Sequence, residues 1–315
     1  MRPVLLAAIL AAAASLLADA AQPYDPFADL RRAPVNGTQL AYVERGTGGT
    51  PLVLVHGSGA DLRTWGYQLQ HFGRSRRTIA YSRRFHHPNP PPLAGDVYSP
   101  AQHAADLGSL IGALGAGRAD LIASSYGALV ALMAAASEPA RVRRMVIVEP
   151  VAFSMLERGV ESGGAAGVER ARRQMRAGQT DAAMRTFLSA LIAPGAYELM
   201  PESARAMLRD NHAELLAEAR APLPGTAPPY TCGQAGRVSA PTLLVDGDRS
   251  AAFLREMTGR IQACLPGAER RTVPGAAHAV HAQQVQAFNA LAEAFLQDPP
   301  AAAGPRPAEA RRSAP

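Results

Sequence analysis

The sequence contains no lysine. All 32 basic residues are arginine, which, with heavy use of alanine, glycine and proline, reads as a coding bias rather than a functional signature. Cysteine is nearly absent too, with only Cys232 and Cys264. Neither has histidines spaced around it as a metal site requires, so no metal and no cofactor is expected. Charge of one sign is nowhere concentrated: the arginines come as scattered doublets such as Arg31-Arg32, Arg76-Arg77, Arg143-Arg144 and Arg172-Arg173. A net charge of +6 invites nucleic acid or an anionic surface as partner. No nucleic-acid-binding motif accompanies it, so nucleic acid is excluded and the charge reads as solvated surface. After the first twenty or so residues no stretch is apolar and long enough to span a bilayer.

What is there begins with that first stretch. A single positive charge at Arg2 precedes an unbroken apolar run that ends in Ala18-Asp19-Ala20, a small-x-small cleavage pattern. Residues 1–20 read as a signal peptide. An uncleaved anchor is the competing reading, but the run is short and alanine-rich for a span. No cysteine follows it to carry lipid. The mature chain is therefore expected to be exported, periplasmic or secreted, with no stable membrane anchor. Export permits Cys232 and Cys264 to pair; two buried free thiols are the alternative, and both stay open.

The hydrophobic fraction of 48% over 315 residues supports one large domain with a sizeable core. Short apolar runs alternate with helical patterns, the rhythm of βαβ units and a mainly parallel sheet. The spacing predicts strands over 40–44, partly exposed, then 52–55, 78–81, 120–123, 145–148, 242–245 and 269–273. It predicts helices from Ser99-Pro100 to about 114, then over 128–136, 252–264 and 283–296. Ser99 is an N-cap followed by proline at the first helical position. Between 151 and 238 the rhythm stops. A Gly-rich stretch over 162–167 precedes helical patterns near 169–176, 182–191 and 202–220, with a proline-rich exit. That segment reads as a helical lid inserted into a core formed by 21–150 and 239–297, and 298–315 as a disordered tail.

Three short motifs carry chemistry. In Leu121-Ile122-Ala123-Ser124-Ser125-Tyr126-Gly127-Ala128 a serine stands at a strand-to-helix turn, flanked at two residues' distance by Ala123 and Gly127. A turn that sharp tolerates only small residues there, which makes Ser125 a nucleophile candidate. An ordinary N-cap serine is the plain reading. Ser124 would place Ile122 and Tyr126 at the small positions and is rejected. Upstream, His56-Gly57-Ser58-Gly59 ends a buried strand, where the N–H of Ser58, with that of Tyr126, can form an oxyanion hole. His56 itself reads as structural. Downstream, Pro274-Gly275-Ala276-Ala277-His278 sets a histidine past the last strand, able to reach back to Ser125 as its base. His281 is the lesser candidate. His86, His87 and His103 read as pocket-mouth or capping residues.

In that order and spacing, HGSG, ASSYGA and PGAAH resemble the α/β-hydrolase superfamily from about 40 to 296. Ala80-Tyr81-Ser82-Arg83-Arg84-Phe85-His86, followed by Pro88-Asn89-Pro90, is similar to a bacterial subgroup of lidded hydrolases. The resemblance implies an α/β fold, a mainly parallel doubly wound sheet with a helical lid inserted after the sixth strand. It also implies a serine mechanism through an acyl-enzyme. A serine in place of an aspartate argues against haloalkane dehalogenase or epoxide hydrolase chemistry.

The third member of a triad departs from the family pattern. Members often carry the acid three residues beyond the glycine that ends the strand over 242–245; counted from Gly247, that position is Ser250. Glu149, at the tip of the strand before, and Asp248 are the replacements, with Asp246 third. A charge directly after a buried strand is costly unless paired, which favours Glu149 over Asp248. The expected activity is hydrolysis of an ester or similarly activated acyl bond of a small, largely apolar substrate. Carbon–carbon bond hydrolysis or cofactor-free perhydrolysis on the same triad is the runner-up. A hydrolase-like binding protein with little turnover is the alternative outside enzymes. Substrate identity and oligomeric state are not legible.

Overall fold

Continuous apolar runs become the inner strands of one eight-stranded sheet in the computed structural model, which describes residues 26–156 and 164–297. The expected signal peptide over 1–20, the tail over 298–315 and the first two residues of the Gly-rich stretch over 162–167 lie outside the described residues. The strands are β1 Arg31–Val35, β2 Thr38–Arg45, β3 Leu52–Val55, β4 Thr78–Tyr81, β5 Ala119–Ser124, β6 Val142–Val148, β7 Thr242–Gly247 and β8 Glu269–Val273. They lie in the order β1-β2-β4-β3-β5-β6-β7-β8. The β1–β2 and β2–β4 pairs are antiparallel and all the others parallel.

The strand expected first, over 40–44, is thus the second. β1 precedes it, short and charged, with only Ala33 and Val35 buried. Charge and Pro34 suit an edge strand, where they discourage pairing with other chains. Asn36 and Gly37, with φ of 42° and 78°, form the tight turn that folds β1 onto β2.

Alternate strand residues supply the two faces of the sheet. Val53, Ile79, Leu121, Met145 and Leu244 pack against one group of helices: α2 Pro100–Ala113, α3 Tyr126–Ser137 and α10 Ala252–Cys264. Leu52, Leu54, Ala80, Ile122, Val146 and Val245 pack against α1 Gly66–Phe72 and α12 Val285–Leu296. Both faces are covered, so the inner strands carry few polar residues. Ser99 caps α2 as expected, its hydroxyl accepting from the Gln102 amide at 3.2 Å. The closing helix begins later than expected. A short turn, α11 Val280–Gln283, precedes it, and Gln284 at φ −129° breaks the two apart.

Between β6 and β7 the chain runs through α4 Gly164–Arg176, α5 Thr180–Leu191, α6 Ala196–Leu199, α7 Glu202–Asp210, α8 His212–Arg220 and α9 Cys232–Ala235. The single helix expected over 202–220 is two helices divided at Asn211. Asn211 donates to Asp61 and to the Met207 carbonyl, both at 2.8 Å, and accepts from the His87 amide at 2.9 Å. An asparagine that bonds outside its own helix competes with the helical pattern. Cys232 and Cys264 form a disulfide with Cα atoms 4.8 Å apart, tying α9 to the end of α10. No helix among the described residues is long and apolar enough to cross a membrane.

Candidate active site

Ser125 sits between β5 and α3 at φ 57° and ψ −121°, backbone that a side-chain-bearing residue rarely adopts. What holds it there is close approach. A Cβ on Gly127 would come within 2.3 Å of the His56 carbonyl oxygen, so the start of α3 can lie against the end of β3 only because that residue is glycine. The Ser125 amide donates to the Val148 carbonyl at 2.9 Å, fastening the turn to β6.

Two further strand ends converge on it. His278, in the loop after β8, lies with Nε2 2.9 Å from Ser125 Oγ and Nδ1 2.6 Å from Glu149 Oε2. Glu149 follows β6, is fully buried and has φ 42°. Its other oxygen accepts from the Gly247 amide at 2.9 Å. Burial works against this charge, but the hydrogen bond and charge of His278 outweigh it, with help from the Ser250 hydroxyl and the Gly247 amide. The carboxyl is held below its ordinary value of 4.5. Ser250, at the position where an acid was expected by counting, is buried against this carboxylate without a well-aligned hydrogen bond of its own.

The other acids are engaged elsewhere. Asp248 accepts from the Gly275 amide at 2.7 Å. Asp246 accepts from Arg270 at 2.8 Å and from the Thr272 hydroxyl at 2.6 Å. His281 lies apart from Ser125, its ring centroid 4.4 Å from that of Trp65 and Nε2 3.3 Å from the Thr64 hydroxyl. Burial, and then the charge of His278, lowers it to about 3. His56 accepts at Nε2 from the Arg83 amide at 2.9 Å, which leaves Nδ1 protonated toward the Gly57 carbonyl. His86 bonds the Ala60 carbonyl at 2.7 Å. His103 is buried with neither ring nitrogen hydrogen-bonded.

Ser125 opens on a cavity that leaves about 50 Å³ of water-accessible space. Ser58, Val151, Phe153, Met175, Met184, Phe187, Leu191, Leu208 and Leu215 line it, with Arg172 and Glu218 as its charged members. Of the apolar residues between β6 and β7, Met184, Phe187, Leu191 and Leu208 line the cavity. Leu188 and Tyr197 pack in the cluster behind it. Met207 belongs to neither. The Ser58 amide follows Gly57, whose added Cβ would lie 2.9 Å from the Ser125 Cβ. Tyr126 is the first residue of α3, so its amide has no partner within the helix.

Sequence reading missed the polar cluster beneath this loop. Arg83, expected at the surface with the other arginines, is 1% exposed. Nearby, Glu214 of α8 accepts from the Gly59 amide at 3.2 Å and from the Tyr98 hydroxyl. Burial, and then the charge of Glu218, raises Glu214 to about 8. The signal available was Arg83-Arg84, starting two residues past the end of a buried strand. Arg84 does reach the edge, bonding Asp106 at 2.7 Å.

Comparison with known proteins adds the family. A family model described as "Alpha/beta hydrolase family" matches residues 52–291. The chain is 30% identical over 136 residues to the dihydrolipoyllysine-residue acetyltransferase component of the acetoin cleaving system of Cupriavidus necator, covering 43% of this chain and 36% of that protein. It is 33% identical over 116 residues to 2-hydroxy-6-oxo-2,4-heptadienoate hydrolase of Pseudomonas putida, covering 34% of this chain and 39% of that one. The chain thus spans well under half the length of these curated relatives. Among solved structures, a hydrolase from Pseudomonas aeruginosa is 26% identical with a TM-score of 0.68, covering 86% of this chain and 99% of that one. Taken with the sheet order and the serine turn, the match over most of its length means that this chain belongs to the alpha/beta hydrolase family.

Proposed function

We propose that the protein is a serine hydrolase that cleaves an ester or similarly activated acyl bond of a small, largely apolar substrate through an acyl-enzyme. One observation carries this reading: the unbroken relay from Glu149 through His278 to Ser125, with contacts of 2.6 and 2.9 Å. In it, His278 Nε2 takes the proton as Ser125 Oγ attacks the acyl carbon, and later gives it to the leaving group. Glu149 holds the proton on Nδ1 and stabilises the imidazolium. The amides of Ser58 and Tyr126 receive the oxygen that becomes negative; preorganised donors of this kind are each worth about 100- to 1,000-fold in rate. Water then repeats the sequence on the acyl-enzyme.

The helices between β6 and β7 act as a lid, and their apolar side chains favour apolar substituents on the acyl or alcohol part. The chain is exported after removal of 1–20, into a compartment where the Cys232–Cys264 disulfide persists. A second reading, carbon–carbon bond hydrolysis on the same triad, is favoured by the likeness to the heptadienoate hydrolase. A panel of esters of graded acyl length, run beside a vinylogous diketone, separates the two. Covalent labelling by a fluorophosphonate probe, abolished in Ser125→Ala, is the primary test. Folded wild-type protein that takes no label overturns the assignment.

A further inference from the structure

Arg83 is a cation buried in the interior. It stands two residues past the end of β4, is 1% exposed, and forms no salt bridge among the described residues; Glu214 acts on it only through space. A buried cation without an ion pair is expensive, and an apolar residue of similar volume would fill the space at less cost. What Arg83 holds explains its presence. Its Nε donates to the His56 carbonyl at 3.0 Å and its Nη2 to the Gly57 carbonyl at 3.1 Å. Its guanidinium carbon lies 4.6 Å from the centroid of the Tyr126 ring.

These contacts reach both proposed oxyanion donors from behind. The Gly57 carbonyl and the Ser58 N–H belong to one planar trans peptide and point in opposite directions. A donor fixed on the oxygen therefore fixes where the N–H points, and polarises that amide. The front of the same peptide is against the nucleophile, since a Cβ on Gly57 would come 2.9 Å from the Ser125 Cβ. The next amide, Gly59, is taken by Glu214 at 3.2 Å, which leaves the Ser58 amide for the substrate. The Tyr126 ring, stacked on the guanidinium, steadies the residue that carries the second amide.

We propose that Arg83 is a positioning residue of the oxyanion hole, aiming the Ser58 amide through the Gly57 carbonyl and the Tyr126 amide through its ring. The proposal rests on the reading of Ser125 as nucleophile with Ser58 and Tyr126 as donors. Its test compares wild type with Arg83→Lys and Arg83→Met, using p-nitrophenyl acetate and phenyl trifluoromethyl ketone, which forms a hemiketal oxyanion on the serine. Lysine keeps the charge but cannot bond two carbonyls in one plane. Both variants are expected to lose about 10- to 100-fold in kcat with KM little changed, and affinity for the ketone should fall in proportion. Folded variants with unchanged kcat and ketone affinity, or a rise in KM alone, overturn the proposal. Where neither Arg83 variant folds, Tyr126→Leu decides: a severalfold loss of kcat supports the proposal and an unchanged kcat sinks it. Full turnover and labelling in Ser125→Ala would instead locate the failure in the nucleophile assignment, independently of Arg83.

Discussion

Glu149 reaches His278 from the strand next to the one that carries Gly247. The two side chains meet at 2.6 Å across 129 positions of sequence, and the Gly247 amide at 2.9 Å closes the other side of the carboxylate. Asp248, one residue past Gly247, turns outward to the Gly275 amide. Glu149→Gln is therefore expected to lower kcat by about 10,000-fold, as amide replacement of a triad acid does elsewhere. Asp248→Asn should leave kcat near wild type. Steady-state kinetics on one ester settles the ranking, and the reverse order would return the acid to the β7 loop.

The backbone of Ser125, at φ 57° and ψ −121°, implies a second outcome. Glycine adopts such angles without penalty, whereas residues with a Cβ give up about 1–3 kcal/mol. Ser125→Gly should raise the melting temperature by roughly 2–4 °C while abolishing turnover. Ser125→Ala should abolish turnover without that gain. Calorimetry on the pair reads it; equal melting temperatures would mean the turn carries no strain.

Acid should destabilise the fold. Burial, and then the charge of Arg83, lowers His56, His86 and His103 well below the ordinary 6.5, and His281 falls to about 3. In the unfolded chain all four take up protons near 6.5, so the unfolded state binds more protons as pH drops and stability falls below that value. Each contributes on the order of 1.4 kcal/mol per pH unit in that window. Glu214, raised to about 8, acts oppositely, since the folded state keeps its proton between 4.5 and 8 and loses stability as pH rises through that window. Urea unfolding at pH 7, 6 and 5 should show the net loss, and His281→Gln should flatten the slope by about one proton. An unaltered slope would mean His281 does not stay neutral in the fold.

Reducing the Cys232–Cys264 disulfide releases a loop of 32 positions. Loop-closure entropy assigns that cross-link roughly 3–4 kcal/mol. Cys232→Ser/Cys264→Ser should unfold at correspondingly lower urea and keep its kcat, because neither sulfur touches the relay. A loss of activity at full folding would show that β7 depends on the cross-link for its register at Gly247.

The sequence announced the interior better than the edges. Strands over 52–55 and 78–81 match the structure end to end, since β3 and β4 lie inside the sheet with every residue buried; of the two edge strands, β8 matches 269–273 but β1 was missed. β1 was illegible because an edge strand is selected to look unlike a strand, and only the Asn36-Gly37 turn betrays it. The break at Asn211 depends on Asp61 and His87, 150 and 124 positions away, so no local pattern records it.

The site divides the same way. The small residues around Ser125 are a local steric demand and could be read directly. The choice among Glu149, Asp248 and Asp246 depends on which carboxylate the neighbouring strand leaves free, and Arg270 and Gly275 decide that only in three dimensions. Arg83 looked like one more surface cation until its carbonyl partners were in place.

Ser125 and Glu149 share one feature: both have positive φ, at 57° and 42°. Directed evolution that screens only for heat tolerance will sample these two positions, as it will Phe85 at 70°, because glycine or asparagine relaxes the chain there. On the proposed mechanism, such a screen would drift toward a sturdier and inert protein. Libraries built on this scaffold should hold both positions fixed and seek their tolerance in the helices between β6 and β7.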